Sequence, residues 1–320
     1  MSGVSASAAR IDRPLYGILA INGTVIVFSS QDAVVKLLSE SYSLWQIVCV
    51  RSIVASLLIV AVAFFAKGRG ASLRSRRPGL QLFRGLLMFA SYTLYYLGIV
   101  SMPIVDSAAL FFSAPLFITL ISIPLLGERV GAHRTVAVII GFIGVLVMLR
   151  PGSDGFNVAA VFPLLGAAVY AYCATITRRL GDTESSLAIT LYTMVVFGLG
   201  SAAGSAIGMA LFPGVEGDGL DAMLVRAWTW PTGADLMVLA LIGLVAALGH
   251  LGISHAYRIT QVSIVAPFEY AYLPWVALIG YLVWGEIPAS HTLWGIALVV
   301  GGGLYVMWRE ARAPSAGRAA

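Results

Sequence analysis

Charge is scarce in this sequence. Only 11% of its 320 residues are Asp, Glu, Lys or Arg, against about 25% in soluble domains. Lysine occurs only at 36 and 67, followed by Leu and Gly. A Walker A loop needs Gly-Lys-Ser/Thr, so no ATP-driven motor is written here. The two cysteines, Cys49 and Cys173, lie inside apolar runs. They read as small packing residues, and no disulfide framework follows. There are four histidines, and neither HExxH nor G-x-S-x-G occurs. A membrane-embedded enzyme is therefore the remote reading, and we expect no catalytic residue, no metal site and no cofactor.

What is abundant is apolar surface. Hydrophobic residues make up 59% of the chain and the mean hydropathy is +0.90, more than a soluble fold of this length can hide. Ten runs are long enough to span a bilayer as helices: about 15–37, 43–66, 81–100, 104–126, 132–149, 157–178, 186–211, 234–256, 261–284 and 291–308. No hydrophobic region with a cleavage site precedes the first, so no removable signal peptide is expected. The longest gap, 212–233, reads as an external loop, with a short interfacial helix expected around Trp228 and Trp230. The basic residues lie at cytoplasmic positions if the N-terminus is cytoplasmic, except Lys36, Arg150 and Arg226 outside and Arg51 within the second run. That bias predicts a multi-pass membrane protein with both termini in the cytoplasm. The basic 67–77 loop has no interleaved aromatics and joins two spans, so nucleic acid is not expected as a partner.

The chain also repeats itself. Ala108, Pro115, Gly127-Glu128 and His133 lead into a Gly-rich run ending at Arg150. Pro267, Pro274, Gly285-Glu286 and His291 lead into another ending at Arg309. Gly127-Glu128 and His133 recur after 158 residues, Pro115 and Arg150 after 159. Five crossings per half is an odd number, so the second half enters upside down. The predicted fold is an all-α integral membrane protein of ten transmembrane helices in two inverted five-helix repeats. Its parts are an N-tail (1–14), a first repeat (15–150), a second (157–308) and a C-tail (309–320). Inverted repeats are the architecture of secondary transporters, with the solute site near the midplane.

These features resemble the EamA-type proteins of the drug/metabolite transporter superfamily over about residues 15–308. Members include exporters of amino acids and other small metabolites, and carriers of nucleotide sugars and S-adenosylmethionine. The whole chain looks closest to the bacterial amino-acid exporters, aromatic ones in particular, a resemblance that implies a bacterial-type inner membrane. The Lys-rich late helices of nucleotide-sugar carriers are missing, which weakens an anionic substrate.

Polar groups inside a bilayer are costly, so each is paired or functional. Glu269, beside Pro267 and Tyr270, could bind a substrate ammonium, exchange a proton, or pack in hydrogen-bonded form. Arg51 could pair with Asp32, bind a carboxylate or snorkel. His250 and Ser254 share one helical face and could couple proton flow; His255 lies on another. His133 and His291 read as interfacial. Tyr92 and Tyr96 stack at i, i+4 beside Tyr95, and Tyr170 lies on a similar face of the sixth run; these rings suit an amphipathic substrate or pack helices. Asn22 could bind a substrate or join two helices. Gly200, Gly204 and Gly208 form a ladder for close helix packing. Pro115 and Pro274 remove a backbone hydrogen bond and permit gating bends in runs four and nine. The expected activity is export of small zwitterionic metabolites, most of all amino acids, by alternating access through a central cavity. A multidrug or S-adenosylmethionine carrier is the alternative. The expected partners are that solute, the lipid bilayer and protons, with the chain a monomer.

Overall fold

The computed structural model describes residues 14–65, 72–127, 131–152, 156–180, 185–211, 224–259 and 266–312. These form helices α1 (Pro14–Leu38), α2 (Leu44–Phe65), α3 (Pro78–Ser101), α4 (Ile104–Phe111), α5 (Ala114–Leu126), α6 (Ala132–Leu149), α7 (Val161–Leu180), α8 (Ser186–Leu211), α9 (Gly233–Ile259), α10 (Tyr272–Trp284) and α11 (Ser290–Arg312). Short 3-10 turns, Val158–Ala160 and Ala266–Ala271, precede α7 and α10. Among the described residues, nine helical stretches are long and apolar enough to cross a membrane by length and composition. The tenth crossing is Ala266–Trp284, which a 3-10 segment interrupts.

Two crossings are broken, and proline explains where. Pro115 is the second residue of α5 and Pro274 the third of α10. Proline has no N–H and its ring collides with the carbonyl four residues back, so a continuous helix fails there. The carbonyls left without their helical partner belong to Phe111 and Tyr270. The break therefore falls just upstream of each proline, at Phe112-Ser113 and within Ala266–Ala271. Both broken crossings end alike. Gly127 and Gly285 take left-handed φ angles of 68° and 67° as C-caps, which glycine adopts without a Cβ clash.

The packing is twofold. α3 lies on α7 as α1 lies on α9; α3 meets α8 as α9 meets α2; α5 meets α7 as α10 meets α1. α2 with α8 and α6 with α11 are each other's counterparts. The main helix contacts all join one half of the chain to the other, so neither half is a bundle on its own. The α6–α11 crossing is the closest: a Cβ on Gly144 would lie 2.8 Å from the Gly295 carbonyl oxygen, and one on Gly295 2.7 Å from that of Gly144. The Gly200–Gly204–Gly208 ladder also faces inward, toward Phe89, Trp45 and the Leu224 carbonyl. Outward, Phe64, Phe65, Leu199, Leu282 and Trp294 are exposed, as helices in lipid require.

Trp228 and Trp230 do not sit on an interfacial helix. Residues 226–232 are non-helical, consistent with Pro231, and the Gln46 side chain holds this strand of backbone. It donates to the Thr229 carbonyl at 2.6 Å and accepts the Thr229 N–H at 3.2 Å. Glu128 lies outside the described residues.

Candidate functional site

The polar interior is built around α1. Asp32 is buried on the face of α1 that meets α3 and α10. Its Oδ2 accepts from the Tyr272 hydroxyl at 2.5 Å and from Tyr95 at 3.2 Å, and those two hydroxyls lie 3.0 Å apart. Its Oδ1 accepts from Tyr96 at 3.3 Å. The Tyr96 oxygen in turn accepts from Arg51 Nη1 at 2.6 Å. Arg51 is only 2% exposed, so it does not snorkel. Its expected partnership with Asp32 exists, but through the Tyr96 hydroxyl rather than by direct contact. Gln31 completes the knot, its Oε1 accepting from Arg51 Nη1 at 3.2 Å and its amide donating to the Ile242 carbonyl at 3.3 Å. A buried carboxylate survives in low dielectric when several donors surround it, each worth about 1.5–3 kcal/mol.

This knot separates the expected tyrosines into two sets. Tyr95 and Tyr96 are buried at 5% and 0% exposure, their hydroxyls committed to Asp32. Tyr92 and Tyr170 are half-buried. They belong to a chain of ring contacts: Tyr170 to Phe111 at 5.7 Å, Phe111 to Tyr95 at 4.6 Å, and Tyr92 to Phe197 at 5.6 Å. Phe112 forms a second set, with Tyr270 at 5.7 Å and Tyr272 at 5.5 Å. Phe111, Phe112 and Tyr270 sit at the two helix breaks, and the repeat maps Phe111 onto Tyr270. The breaks thus place partly exposed rings from both halves side by side.

Charged groups flank these rings. Glu269 is half-buried in the 3-10 segment, near enough for its charge to act on Tyr170 and Tyr270. Arg84 is buried on α3, its Nη1 donating to Thr193 Oγ1 at 2.8 Å. His250 on α9 is half-buried, edge-on to the Phe28 ring at 5.7 Å. The side chain of its expected partner Ser254 lies outside the described residues. Asn22 gives its amide to the Ile18 carbonyl of its own helix at 2.9 Å, and ten residues separate it from Asp32, about 15 Å along α1. His133 sits in the first turn of α6, exposed, 2.8 Å from Arg309 Nη2 and 3.3 Å from the Tyr305 hydroxyl. Among the described residues no group of three His, Cys, Asp or Glu could hold a metal ion.

Sequence reasoning passed over Gln31, Tyr272, Phe111 and Phe112, and treated Asp32 only as a partner for Arg51. The cost argument that singled out Glu269 applies equally to Gln31-Asp32, two adjacent polar residues inside an apolar run.

An apolar all-helical bundle with broken crossings and a polar, aromatic interior defines a multi-pass membrane transporter. The EamA-like transporter family matches residues 15–150. A riboflavin transporter of Rhizobium johnstonii is 32% identical over 247 residues, 76% of this chain and 74% of that protein. An S-adenosylmethionine uptake transporter of Rickettsia felis is 24% identical over 91% of this chain and 92% of that protein. The pseudopaline exporter CntI of Pseudomonas aeruginosa is 26% identical over 89% and 93%. A solved crystal structure superposes with a TM-score of 0.59 at 19% identity, over 93% of this chain and 99% of that one, a likeness of fold. The chain belongs to the EamA-like transporter family, within the drug/metabolite transporter superfamily. It is a transporter of small molecules and not an enzyme.

Proposed function

We propose that this transporter carries a planar, conjugated metabolite of flavin size by alternating access. The observation behind this reading is a set of half-buried rings: Phe111, Phe112 and Tyr270 at the two helix breaks, Tyr170 against Phe111, and Tyr92 on α3. Such rings offer faces to a flat heterocycle, and each well-placed pair adds about 0.5–1.5 kcal/mol beyond area burial. The Rhizobium johnstonii relative is named a riboflavin transporter, and so is one of Vibrio cholerae, 28% identical over 90% of this chain. An amino-acid substrate, expected from the resemblance, has less in its favour, since none of the relatives named above is named for one. The proposed ligand-contacting residues are those rings with Glu269 and His250, while Tyr95 and Tyr96 hold the frame.

A second reading has its own observation. The Glu269 carboxylate beside Tyr170 and Tyr270 suits a cation packed on aromatic faces, as the sulfonium of S-adenosylmethionine would be. Proteoliposomes loaded with labelled riboflavin or labelled S-adenosylmethionine separate the two. Saturable counterflow of riboflavin, weakened about threefold to tenfold in KM by Phe111→Ala, is the expected result. Counterflow of S-adenosylmethionine alone, lost in Glu269→Gln, would replace the flavin reading with the second. Repeating both with an imposed pH gradient reports on proton coupling. Flux is followed in both directions because the relatives include uptake and export proteins.

The helix breaks are the proposed hinges. Pro115→Ala and Pro274→Ala restore a donor for the Phe111 and Tyr270 carbonyls and favour continuous helices. Both variants are expected to express normally and transport several-fold more slowly, whereas wild-type rates in both would end the hinge role. The positive-inside bias supports a topology with both termini in the cytoplasm, and reporter fusions at each end are expected to report cytoplasmic location for both.

A further inference from the structure

Four crossings meet in one ion pair at the end of the bundle that the last turn of α1 reaches. Lys36 Nζ lies 2.6 Å from Glu286 Oε1, with the two side chains only 12% and 17% exposed. Lys36 also donates to the Met102 carbonyl at 3.2 Å, at the end of α3, and sits 4.7 Å above the Trp284 ring. The second oxygen of Glu286 accepts the Ile104 N–H at 2.9 Å. Ile104 opens α4, whose N-cap is Pro103 and makes no side-chain cap. Glu286 therefore caps α4 from another crossing, placing its charge at the positive end of that helix. Glu286 itself follows the left-handed Gly285 that ends α10, and its N–H returns to the Gly280 carbonyl at 3.1 Å. One ammonium and one carboxylate thus close α1, α3, α4 and α10 on each other.

This contact is built to open. A buried ion pair gains Coulomb energy and loses hydration, and the two nearly cancel. When the groups part into water they recover that hydration, so the closed and open forms lie close in free energy. An apolar plug would lose on exposure without compensation. The mechanical setting agrees. α4 begins at this pair and α10 ends beside it, while the opposite end of each short helix is a break near Pro115 or Pro274. α4 cannot swing about its break until Glu286 releases Ile104. One turn below Lys36, at i−4 on the same face of α1, Asp32 binds Tyr272 in the first turn of α10. The Tyr42 side chain adds a further tie, its hydroxyl donating to Asp235 Oδ2 at 2.6 Å.

We propose that Lys36 and Glu286 form the gate of the transport path at this end, closed in the present structure and broken once per transport cycle. The inference rests on the carrier reading but on no particular solute, and its test needs none. Cys49 and Cys173, both buried free thiols, are replaced by alanine, and Val105→Cys is introduced as a reporter. Val105 is 2% exposed and follows Ile104, and its Cγ2 and Glu286 Oε2 both lie against Gly280. A membrane-impermeant maleimide is added from the side of the 39–43 loop. Labelling is expected to be slow in the reporter alone and about tenfold or more faster with Glu286→Gln or Lys36→Met. Exchanging the charges, Lys36→Glu with Glu286→Lys, is expected to leave labelling fast, because a lysine at 286 cannot accept the Ile104 N–H and a glutamate at 36 cannot donate to the Met102 carbonyl. Each protein is compared on its monodisperse folded fraction. Where Glu286→Gln does not fold, Glu286→Asp, which keeps the charge but draws it back one methylene, supplies the same readout. Unchanged labelling in the folded variants overturns the gate. Latch-dependent labelling without riboflavin or S-adenosylmethionine flux leaves the gate standing and removes the substrate reading instead.

Discussion

Asp32→Ala is expected to destabilise the protein by about 3–5 kcal/mol, the cost of removing one member of a buried charge set. Three tyrosine hydroxyls, from α3 and α10, would lose their acceptor. Arg51, 2% exposed and with its Nε already unpartnered, would keep its charge with no carboxylate in the knot to balance it. Asp32→Asn keeps one acceptor oxygen and should lose less. Combining it with Arg51→Gln should recover part of that loss, because the second change removes the uncompensated charge; neighbours in one network do not add. Thermal unfolding of the purified protein in detergent gives the ranking. Equal midpoints for wild type and Asp32→Ala would mean that the tyrosine knot contributes nothing to the fold.

The second large effect belongs to backbone proximity. Gly295→Leu places a side chain where the Gly144 carbonyl oxygen would be 2.7 Å from its Cβ and the Met148 side chain is already in the way. A carbonyl in a helix cannot yield as a flexible side chain can, so α6 and α11 must separate. Little folded protein is expected from this variant. Gly301→Leu is the control, since a Cβ there meets nothing within 4 Å. It should fold at least as well as wild type, because glycine inside a helix costs about 1 kcal/mol relative to a good helix former. Fluorescence size-exclusion profiles of the two variants, expressed side by side, test the contrast.

Both effects concern contacts that no spacing rule displays. Asp32 and Tyr272 are 240 residues apart, and Gly144 and Gly295 are 151 apart. Helix periodicity places residues on a face, but these helices touch many neighbours, and which face meets which is decided between halves. The expected pairing of Arg51 with Asp32 shows the limit. Arg51 stood out as buried charge with Asp32 as a candidate partner, yet the hydroxyl that joins them comes from Tyr96, a residue expected to line the solute path. Tyr95 likewise turns inward to the carboxylate. The rings proposed to meet a solute include Phe111, Phe112 and Tyr270, which neighbour the prolines but carry no periodic signal of their own.

The amino-acid sequence alone determined the features that rest on local chemistry. These are the apolar runs, the doubled Gly-Glu block, the left-handed glycine caps behind two crossings and the prolines that interrupt them. Hydropathy and backbone sterics act over a few residues, so they can be read without partners. Only the tertiary structure decided that the halves interlock helix by helix, that Asp32 is held by three tyrosines, and that Lys36 closes on Glu286. Those choices follow from a solvent that offers no water to a buried charge: each polar group must find its partner on whichever helix the inverted packing brings alongside.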